Sequence, residues 1–407
     1  MKKIDKLNAI VLCLSTLLGS MVFGSNALMN KENEVRVSDF GKEDIQVYKP
    51  DEEYPYERYE YPITPQKTPE IWKEFTDHQQ MLDACEIPEE ILKSMTTQQL
   101  LLTCLDYPLA GDAMFYDSEI SGFNCVKLRH NGMTELFERP DFSTELAALY
   151  NDYSVKISEV DNRSYSLFSD YESNEDDVYC LTLMTRFAIS ESVLREDDVV
   201  SIYNYCSEIS YCLDDTSIEH DDFLGVCQSV TASDSYDGYD TVKEKKHYYN
   251  YVTVKTPKGS SVQGKKYVSD LNAKALTDRM KYMNEHYPNA TLVRLPTIYY
   301  NCHSYAWHMQ TEDNHVWIDD PTKYMTDGSY KYVGSIAAVL PNPTGVVPGN
   351  KAFYKNPTFN GKGKGNHSAI VYSSSEYISK WGMGYLVRHV PVYCPYWDGD
   401  TEIRIYS

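Results

Sequence analysis

The feature that most constrains the fold is a cysteine that opens an apolar, helix-capable run. The stretch reads Tyr299-Tyr300-Asn301-Cys302-His303-Ser304-Tyr305-Ala306-Trp307. A helix N-terminus carries free backbone N–H groups and a partial positive charge, which favour a thiolate over a thiol. We therefore predict that Cys302 is a nucleophile. The competing interpretation is a small core residue, the usual role of a lone cysteine.

A nucleophilic thiol needs a base, and a histidine stands at the head of a later strand-like run. Asn366-His367-Ser368-Ala369-Ile370-Val371-Tyr372 follows the glycine-rich turn Gly361-Lys362-Gly363-Lys364-Gly365. A cysteine at a helix start and a histidine on a later strand divide the work of nucleophile and base. The competing interpretation is a structural histidine.

The flanking segments predict further strands of one small sheet. Glu376–Gly382 is expected to pair back on the histidine strand as a hairpin through Ser373-Ser374-Ser375. The last predicted strand contains Leu386-Val387-Arg388-His389, and the chain then reaches Cys394-Pro395-Tyr396.

Residues 290 to 396 resemble the papain-like CHAP amidases and, more remotely, the NlpC-type cell-wall peptidases. Tyr-Asn-Cys-His-Ser-Tyr-Ala-Trp, with Ser-Lys-Trp-Gly and Cys-Pro-Tyr, also resembles a set of secreted Gram-positive proteins. The fold that this resemblance implies is a helix packed on a small antiparallel sheet. The predicted class is α+β: a papain-like C-terminal domain preceded by an all-α N-terminal region.

The resemblance also implies site residues. Cys302 would be the nucleophile and His367 the base that deprotonates it and later protonates the leaving amine. Ser379 and Lys380 stand on the strand where CHAP enzymes commonly have an acidic or amide side chain that orients the histidine. His389 on the following strand is the substitute, or else a structural histidine beside the Cys-Pro-Tyr turn.

Aromatic residues near the site have two interpretations. Tyr299 or Tyr300 would donate to the oxyanion, as tyrosine does in NlpC-type sites, or would be core residues. Trp317, Tyr324 and Trp381 are candidates for a substrate groove, whereas Trp307 is expected in the core.

Two other classes of function remain open. Cys302, His303, His308 and His315 are residue types that bind metals, but neighbours on a helix point about 100° apart, which suits the pair Cys302 and His303 poorly. We therefore expect no metal and no cofactor. Alternatively, the chain is a catalytically inactive papain-like fold that serves as a secreted binding protein, because Ser379 and Lys380 replace the usual orienting residue.

Four segments are predicted along the 407 residues. Residues 1–27 have a basic start, an apolar core and small residues at a cleavage point, which is typical of a secretory signal. An extended charged spacer rich in Tyr and Pro (28–69), an all-α accessory region (70–240) and the papain-like domain (245–407) follow. We expect a secreted protein that could associate with the cell wall. Once the signal is removed, we expect no membrane segment.

Charge and cysteine content limit the partners. The net charge of −22 argues against nucleic acid, although acidic and basic residues balance between Leu295 and Ser407. Removing Cys13 with the signal leaves an odd number of cysteines, and Cys302 is the candidate free thiol. The prediction is a cysteine hydrolase acting on amide bonds, with peptidoglycan or a peptide as the substrate. The helical region is a candidate for binding an unidentified protein, for inhibiting the site or for acting as a spacer.

Overall fold

The computed structural model describes residues 47–48, 58–159, 175–202, 204, 249–271, 273–336, 345–356 and 366–407. The predicted signal and the glycine-rich turn before His367 lie outside these residues. Glu43–Ser407 form one compact unit. Helices and antiparallel strands both contribute, so the predicted α+β class is confirmed. Among the described residues, no helix is long and apolar enough to span a membrane.

The first part of the described chain is helical. Its helices are α1 Pro69–Trp72, α2 His78–Ala84, α3 Glu89–Ser94, α4 Thr97–Leu105, α5 Glu119–Arg129, α6 Asn131–Glu138, α7 Phe142–Glu159 and α8 Glu175–Ser190. A 3-10 turn, Ala110–Phe115, lies between α4 and α5. Thr96 caps α4, because Thr96 Oγ1 accepts the Gln99 amide and the Gln99 side chain accepts the Thr96 amide.

The end of the predicted spacer belongs to this helical layer. Strand β2, Arg58–Tyr59, pairs with β1, Val47–Tyr48. Tyr59 and Tyr61 are both buried. The Tyr59 amide donates to Thr103 Oγ1 over 3.0 Å in α4. Residues from 58 onward are therefore packed, in contrast to an extended spacer that reaches to residue 69.

The C-terminal part contains a seven-stranded antiparallel sheet. Its strands are β5 Thr291–Arg294, β6 Tyr332–Ile336, β7 Lys351–Lys355, β8 His367–Val371, β9 Tyr377–Lys380, β10 Leu386–His389 and β11 Glu402–Tyr406. Their order across the sheet is β5-β10-β9-β8-β7-β11-β6. The hairpin of β3, Tyr249–Lys255, and β4, Ser261–Tyr267, precedes it. Helix α9, Ala273–His286, comes before Cys302 in the chain, and helix α10, Thr322–Thr326, comes after it.

The predicted pairing of β8 with β9 is confirmed, since Ile370 lies opposite Ile378. The prediction that β10 is the last strand is wrong. Strand β11 follows it and pairs with β7 on one side and β6 on the other. Its sequence, Glu402-Ile403-Arg404-Ile405-Tyr406, alternates polar and apolar residues until the final Tyr, which is a strand signal that the sequence analysis did not use.

Alternation along β8 sends neighbouring side chains to opposite faces of the sheet. The Ser368 hydroxyl accepts the Trp307 Nε1–H over 2.8 Å, so one face contacts the segment that follows Cys302. His367 is on the other face, where its ring stacks on Tyr396 at 3.9 Å between centroids. Tyr396 in turn packs on Tyr116 of the helical layer. The Ser368 face of β8 thus contacts the segment after Cys302, and the His367 face is connected to the helical layer through Tyr396.

A buried carboxylate ties the helical layer to the C-terminal part. Asp112 accepts hydrogen bonds from His78 Nε2 (2.9 Å), Tyr282 Oη (3.0 Å) and Tyr287 Oη (2.7 Å). The other ring nitrogen of His78 donates to the Trp397 carbonyl over 2.7 Å. A buried carboxylate needs such donors to offset its lost hydration. The helices and the sheet therefore share a polar core as well as an apolar one.

Candidate functional site

Cys302 begins a short helical segment that Asn301 caps. Residues 302–303 are α-helical and Ser304–His308 form a π-helix, so the segment is much shorter than the helical run suggested by the sequence. Asn301 Oδ1 accepts the amide N–H groups of Ser304 (3.1 Å) and Ile318 (3.2 Å). This side chain fixes Cys302 at the first helical position.

The Cys302 thiol is buried beside the histidine strand. Its sulfur accepts the backbone N–H groups of Ser368 and His303. These two donors lower the thiol pKa, but burial and the nearby negative charge of Asp117 raise it well above its ordinary value. Only 1% of the residue is exposed. In this closed form the thiol is neutral at physiological pH.

His367 is buried without a hydrogen-bond partner. Within the described part of the chain, neither Nδ1 nor Nε2 forms a hydrogen bond. The ring is held by stacking on Tyr396 and by an edge contact with Tyr354, at 5.2 Å between centroids. Burial, followed by the neighbouring rings of His389 and His303, lowers its pKa well below the ordinary value. The imidazole is therefore neutral, with a lone pair available on one nitrogen.

Ser379 and His389, both predicted as candidates to orient His367, are bonded to each other. His389 Nδ1 lies 2.8 Å from the Val390 carbonyl, which can only accept, so Nδ1 carries the proton. His389 Nε2 is then the acceptor of the Ser379 hydroxyl at 2.7 Å. Ser379 Oγ also accepts the Trp381 Nε1–H over 3.1 Å. Neither residue forms a hydrogen bond with His367.

Lys380 organises the turn between β9 and β10. Its buried ammonium donates to the carbonyls of Thr297 (2.8 Å), Gly382 (2.6 Å) and Gly384 (2.7 Å). Burial lowers its pKa to about 7. Three carbonyl acceptors oppose this shift, because only the protonated amine offers three N–H donors. Lys380 therefore supports the backbone of the turn.

The aromatic candidates divide between core and surface. Tyr300 is buried against Tyr305 and Leu386, and Lys380 Nζ lies 5.4 Å from its ring centre. Tyr299 is partly exposed and stacks on His315 at 4.4 Å. The other four candidates are all buried: Trp307, Trp317, Tyr324 and Trp381. Burial was expected for Trp307 alone. In this form they are core residues, each at most 2% exposed.

No family model, curated protein or solved structure matches this chain. The site must therefore be interpreted from its own geometry.

Metal-type ligands come together at a different place from the set considered in the sequence. In the described residues, His367, His389 and Cys394 offer ligand atoms within 4.8 Å of one another. Cys302, His303, His308 and His315 do not form such a group there, since Ser368 engages His303 Nδ1 and Tyr299 covers His315. Among the described residues, Cys302 and Cys394 are free thiols.

Three residues next to Cys302 were missed in the sequence analysis. Asn301 directly before a helical segment is a recognisable N-cap signal that was not used. Asp117 lies near the sulfur and Ser368 donates its amide to it. No sequence signal identifies these two, because residue 117 comes from the helical layer and any residue type except proline at position 368 has the same amide N–H.

Proposed function

We propose that the chain is a cysteine hydrolase that cleaves amide bonds, with Cys302 as nucleophile and His367 as base. The observation that carries the proposal is a hydrogen bond from a backbone N–H to the Cys302 sulfur. Cys302 accepts the N–H of Ser368, the residue directly after His367 in β8. The thiol and the histidine strand are thereby in contact, and this contact supports a division of the work between a cysteine nucleophile and a histidine base.

The chemistry uses the two neutral side chains. His367 takes the thiol proton as the sulfur attacks the carbonyl carbon, and then returns the proton to the leaving amine. Water, deprotonated by the same imidazole, next cleaves the thioester. The backbone N–H groups of His303 and Ser368 already donate to the sulfur. They are therefore the candidates to stabilise the negative charge that develops on the carbonyl oxygen of the substrate.

The closed form must open before a substrate reaches the sulfur. Cys302 and His367 are at most 1% exposed, and the two side chains do not form a hydrogen bond with each other. Tyr396, against which His367 stacks, contacts Tyr116 of the helical layer. We therefore propose that the resting enzyme is latent and that the helical layer restrains the site.

The substrate class follows from the resemblance to CHAP and NlpC-type enzymes. We propose peptide bonds of peptidoglycan as the substrate and a secreted location, from the signal-like residues 1–27. Endopeptidase, amidase and protease activities all fit this chemistry. Incubation of purified peptidoglycan with the protein, followed by mass spectrometry of the released fragments, would detect new amine ends. The Cys302→Ser variant should release none.

Thiol reactivity tests the pair without knowledge of the substrate. The protein would be alkylated between about pH 4 and pH 9, and each modified cysteine identified by mass spectrometry. Cys104, buried in α4, is the matched control for global unfolding. We expect Cys302 to react faster than Cys104, and His367→Ala to slow Cys302 alone. Equal rates at the two thiols, indifferent to His367→Ala, would refute the hydrolase.

A second candidate function is a papain-like binding protein without turnover. The observation that favours it is the bond between Ser379 and His389, since the candidates to orient His367 are engaged with each other. A thiol with a raised pKa and a histidine with a lowered one are also the reverse of an activated ion pair. Peptidoglycan binding by co-sedimentation, with no fragment release and no His367-dependent alkylation, would support this alternative.

A further inference from the structure

We propose that His367, His389 and Cys394 form a binding site for a divalent cation of the zinc type. The three side chains come from β8, from β10 and from the loop after β10. Their ligand atoms lie within 4.8 Å of one another, and all three residues are at most 1% exposed. Ligand atoms around one tetrahedral zinc ion lie about 3.3–3.5 Å apart, so the three groups need to converge by about an ångström.

The first argument is the state of His367. A buried imidazole normally satisfies at least one nitrogen, because an unpaired polar group loses its hydration without compensation. In the described residues, both of its nitrogens are without a hydrogen bond. Contacts with Tyr354 and Tyr396 fix the ring plane and leave the nitrogens free to bind a ligand. A metal bond to either nitrogen would supply the missing interaction.

The second argument is the tautomer of His389. Its Nδ1–H donates to the Val390 carbonyl, the outer contact that metal-bound histidines commonly make. The lone pair is consequently on Nε2, the nitrogen available to a metal. At present the Ser379 hydroxyl donates to this lone pair over 2.7 Å. A cation must displace that hydroxyl, so Ser379 competes with the metal.

The third argument is the surroundings of Cys394. Its sulfur accepts the Tyr396 amide, and the positive charge of Arg129 is nearby. Both favour a thiolate, although burial outweighs them and raises the thiol pKa. Arg129 is held in place by a 2.9 Å ion pair with Asp398. Coordination would convert the thiol to a thiolate, with the proton released to solvent.

The ligand types select the cation. One thiolate and two imidazoles suit zinc, and cobalt(II) as its spectroscopic substitute, whereas calcium and magnesium prefer oxygen ligands. Three protein ligands leave a fourth position for a small ligand such as water.

The site shares His367 with the proposed hydrolase but does not depend on it. A bound cation would occupy the lone pair that the base needs, so the metal-loaded protein would be inactive. Removal of the metal would then be one step of activation. Metal content is measured without reference to turnover, and alkylation of Cys302 is measured without metal, so the two proposals can fail separately.

The test is metal binding by the full chain. Protein produced in zinc-supplemented medium would be dialysed and its zinc content measured by mass spectrometry. Metal-free protein would be titrated with cobalt(II) and observed for the thiolate-to-cobalt charge-transfer band. We expect one metal ion per chain, a charge-transfer band and a higher melting temperature with metal. Zinc content at the level of the buffer, without the band, would overturn the proposal.

Variants assign the site. Cys394→Ser should abolish the charge-transfer band, whereas Cys104→Ser, a change at another buried thiol, should leave it intact. A band that survives Cys394→Ser would overturn the assignment. Ser379→Ala keeps all three ligands and removes the competing hydroxyl, so it should bind cobalt more than about threefold more tightly. This variant remains informative if Cys394→Ser does not fold, and unchanged or weaker binding would contradict Nε2 of His389 as the ligand.

Discussion

Asn301 Nδ2 donates to Asp117 Oδ1 over 3.3 Å, which joins the residue before Cys302 to the helical layer. The same amide group donates to the Ile318 carbonyl over 2.8 Å. Asn301 therefore caps the Cys302 segment with its oxygen and contacts the carboxylate with its nitrogen. The contact also brings a negative charge close to the sulfur, with consequences for the thiol and for stability.

Asp117→Asn should increase both thiol reactivity and stability at neutral pH. Burial, with a smaller effect from Asp319, raises the Asp117 pKa to about 7 in the folded protein. As pH rises from about 4 to 7, the unfolded chain ionises first, so the wild type loses stability. Because the residue keeps some solvent exposure, which screens its charge, we expect a loss of about 1–2 kcal/mol. Denaturant unfolding at several pH values would show a flatter profile for the variant.

The same variant should react faster with alkylating agents at Cys302, because the charge that raises the thiol pKa is gone. Asp83→Asn, an exposed change in α2, is the control for both measurements. Parallel pH profiles for wild type and Asp117→Asn would contradict the prediction.

Lys380→Met should destabilise the protein by about 2–4 kcal/mol. Methionine keeps much of the buried volume but leaves three carbonyl oxygens without their donor. The free energy of unfolding in urea would measure the loss. Lys355→Met, at an exposed lysine in β7, should change it by less than about 0.5 kcal/mol. Similar values for the two variants would show that the buried ammonium contributes little.

Ser368→Ala should cost about 2 kcal/mol without releasing Cys302. The buried hydroxyl accepts the Trp307 Nε1–H and is bonded to His303 Nδ1, each at 2.8 Å. The amide that contacts the Cys302 sulfur is retained in alanine. Unfolding and Cys302 alkylation should therefore separate, with a lower melting temperature and an unchanged native-state labelling rate. Ser374→Ala, at an exposed serine, should affect neither.

Gly382→Ala should be more destabilising than Gly259→Ala. Both glycines have positive φ, 41° and 86°, so alanine costs about 1 kcal/mol at either position. A Cβ at Gly382 would also overlap the Phe115 carbonyl, whereas nothing lies within 4 Å of one at Gly259. The overlap should add about 1–3 kcal/mol. Equal melting temperatures would mean that the helical layer can withdraw from this turn at little cost.

Local patterns accounted for a large part of the fold. The sequence is sufficient to recognise the Thr96 N-cap and the hairpin of β8 and β9, because capping and alternation depend on residues a few positions apart. Strand β11 was missed, and α5 was not distinguished within the predicted all-α region. Strand β11 has an alternating pattern that was available in the sequence, whereas α5 has polar residues distributed around most of its surface.

Contacts between distant residues were beyond such patterns. The partners of Asp112 are 34, 170 and 175 positions away, and no local rule brings them together. The bond between Ser379 and His389 depends on the register of β9 and β10, in which Ser379 lies opposite Val387. Likewise, His367 faces Tyr396 because alternation along β8 gives the other face to Ser368.

The sequence by itself determined which side chains are able to react and many of the segments that form strands and helices, because side-chain chemistry and short-range periodicity are local properties. Only the tertiary structure decided how those side chains behave. Burial raises the thiol pKa of Cys302 and lowers the pKa of His367. Atoms from distant parts of the chain displace the water around both side chains. The resting charge of the site, like the grouping of His367 with His389 and Cys394, therefore exists only in the folded protein.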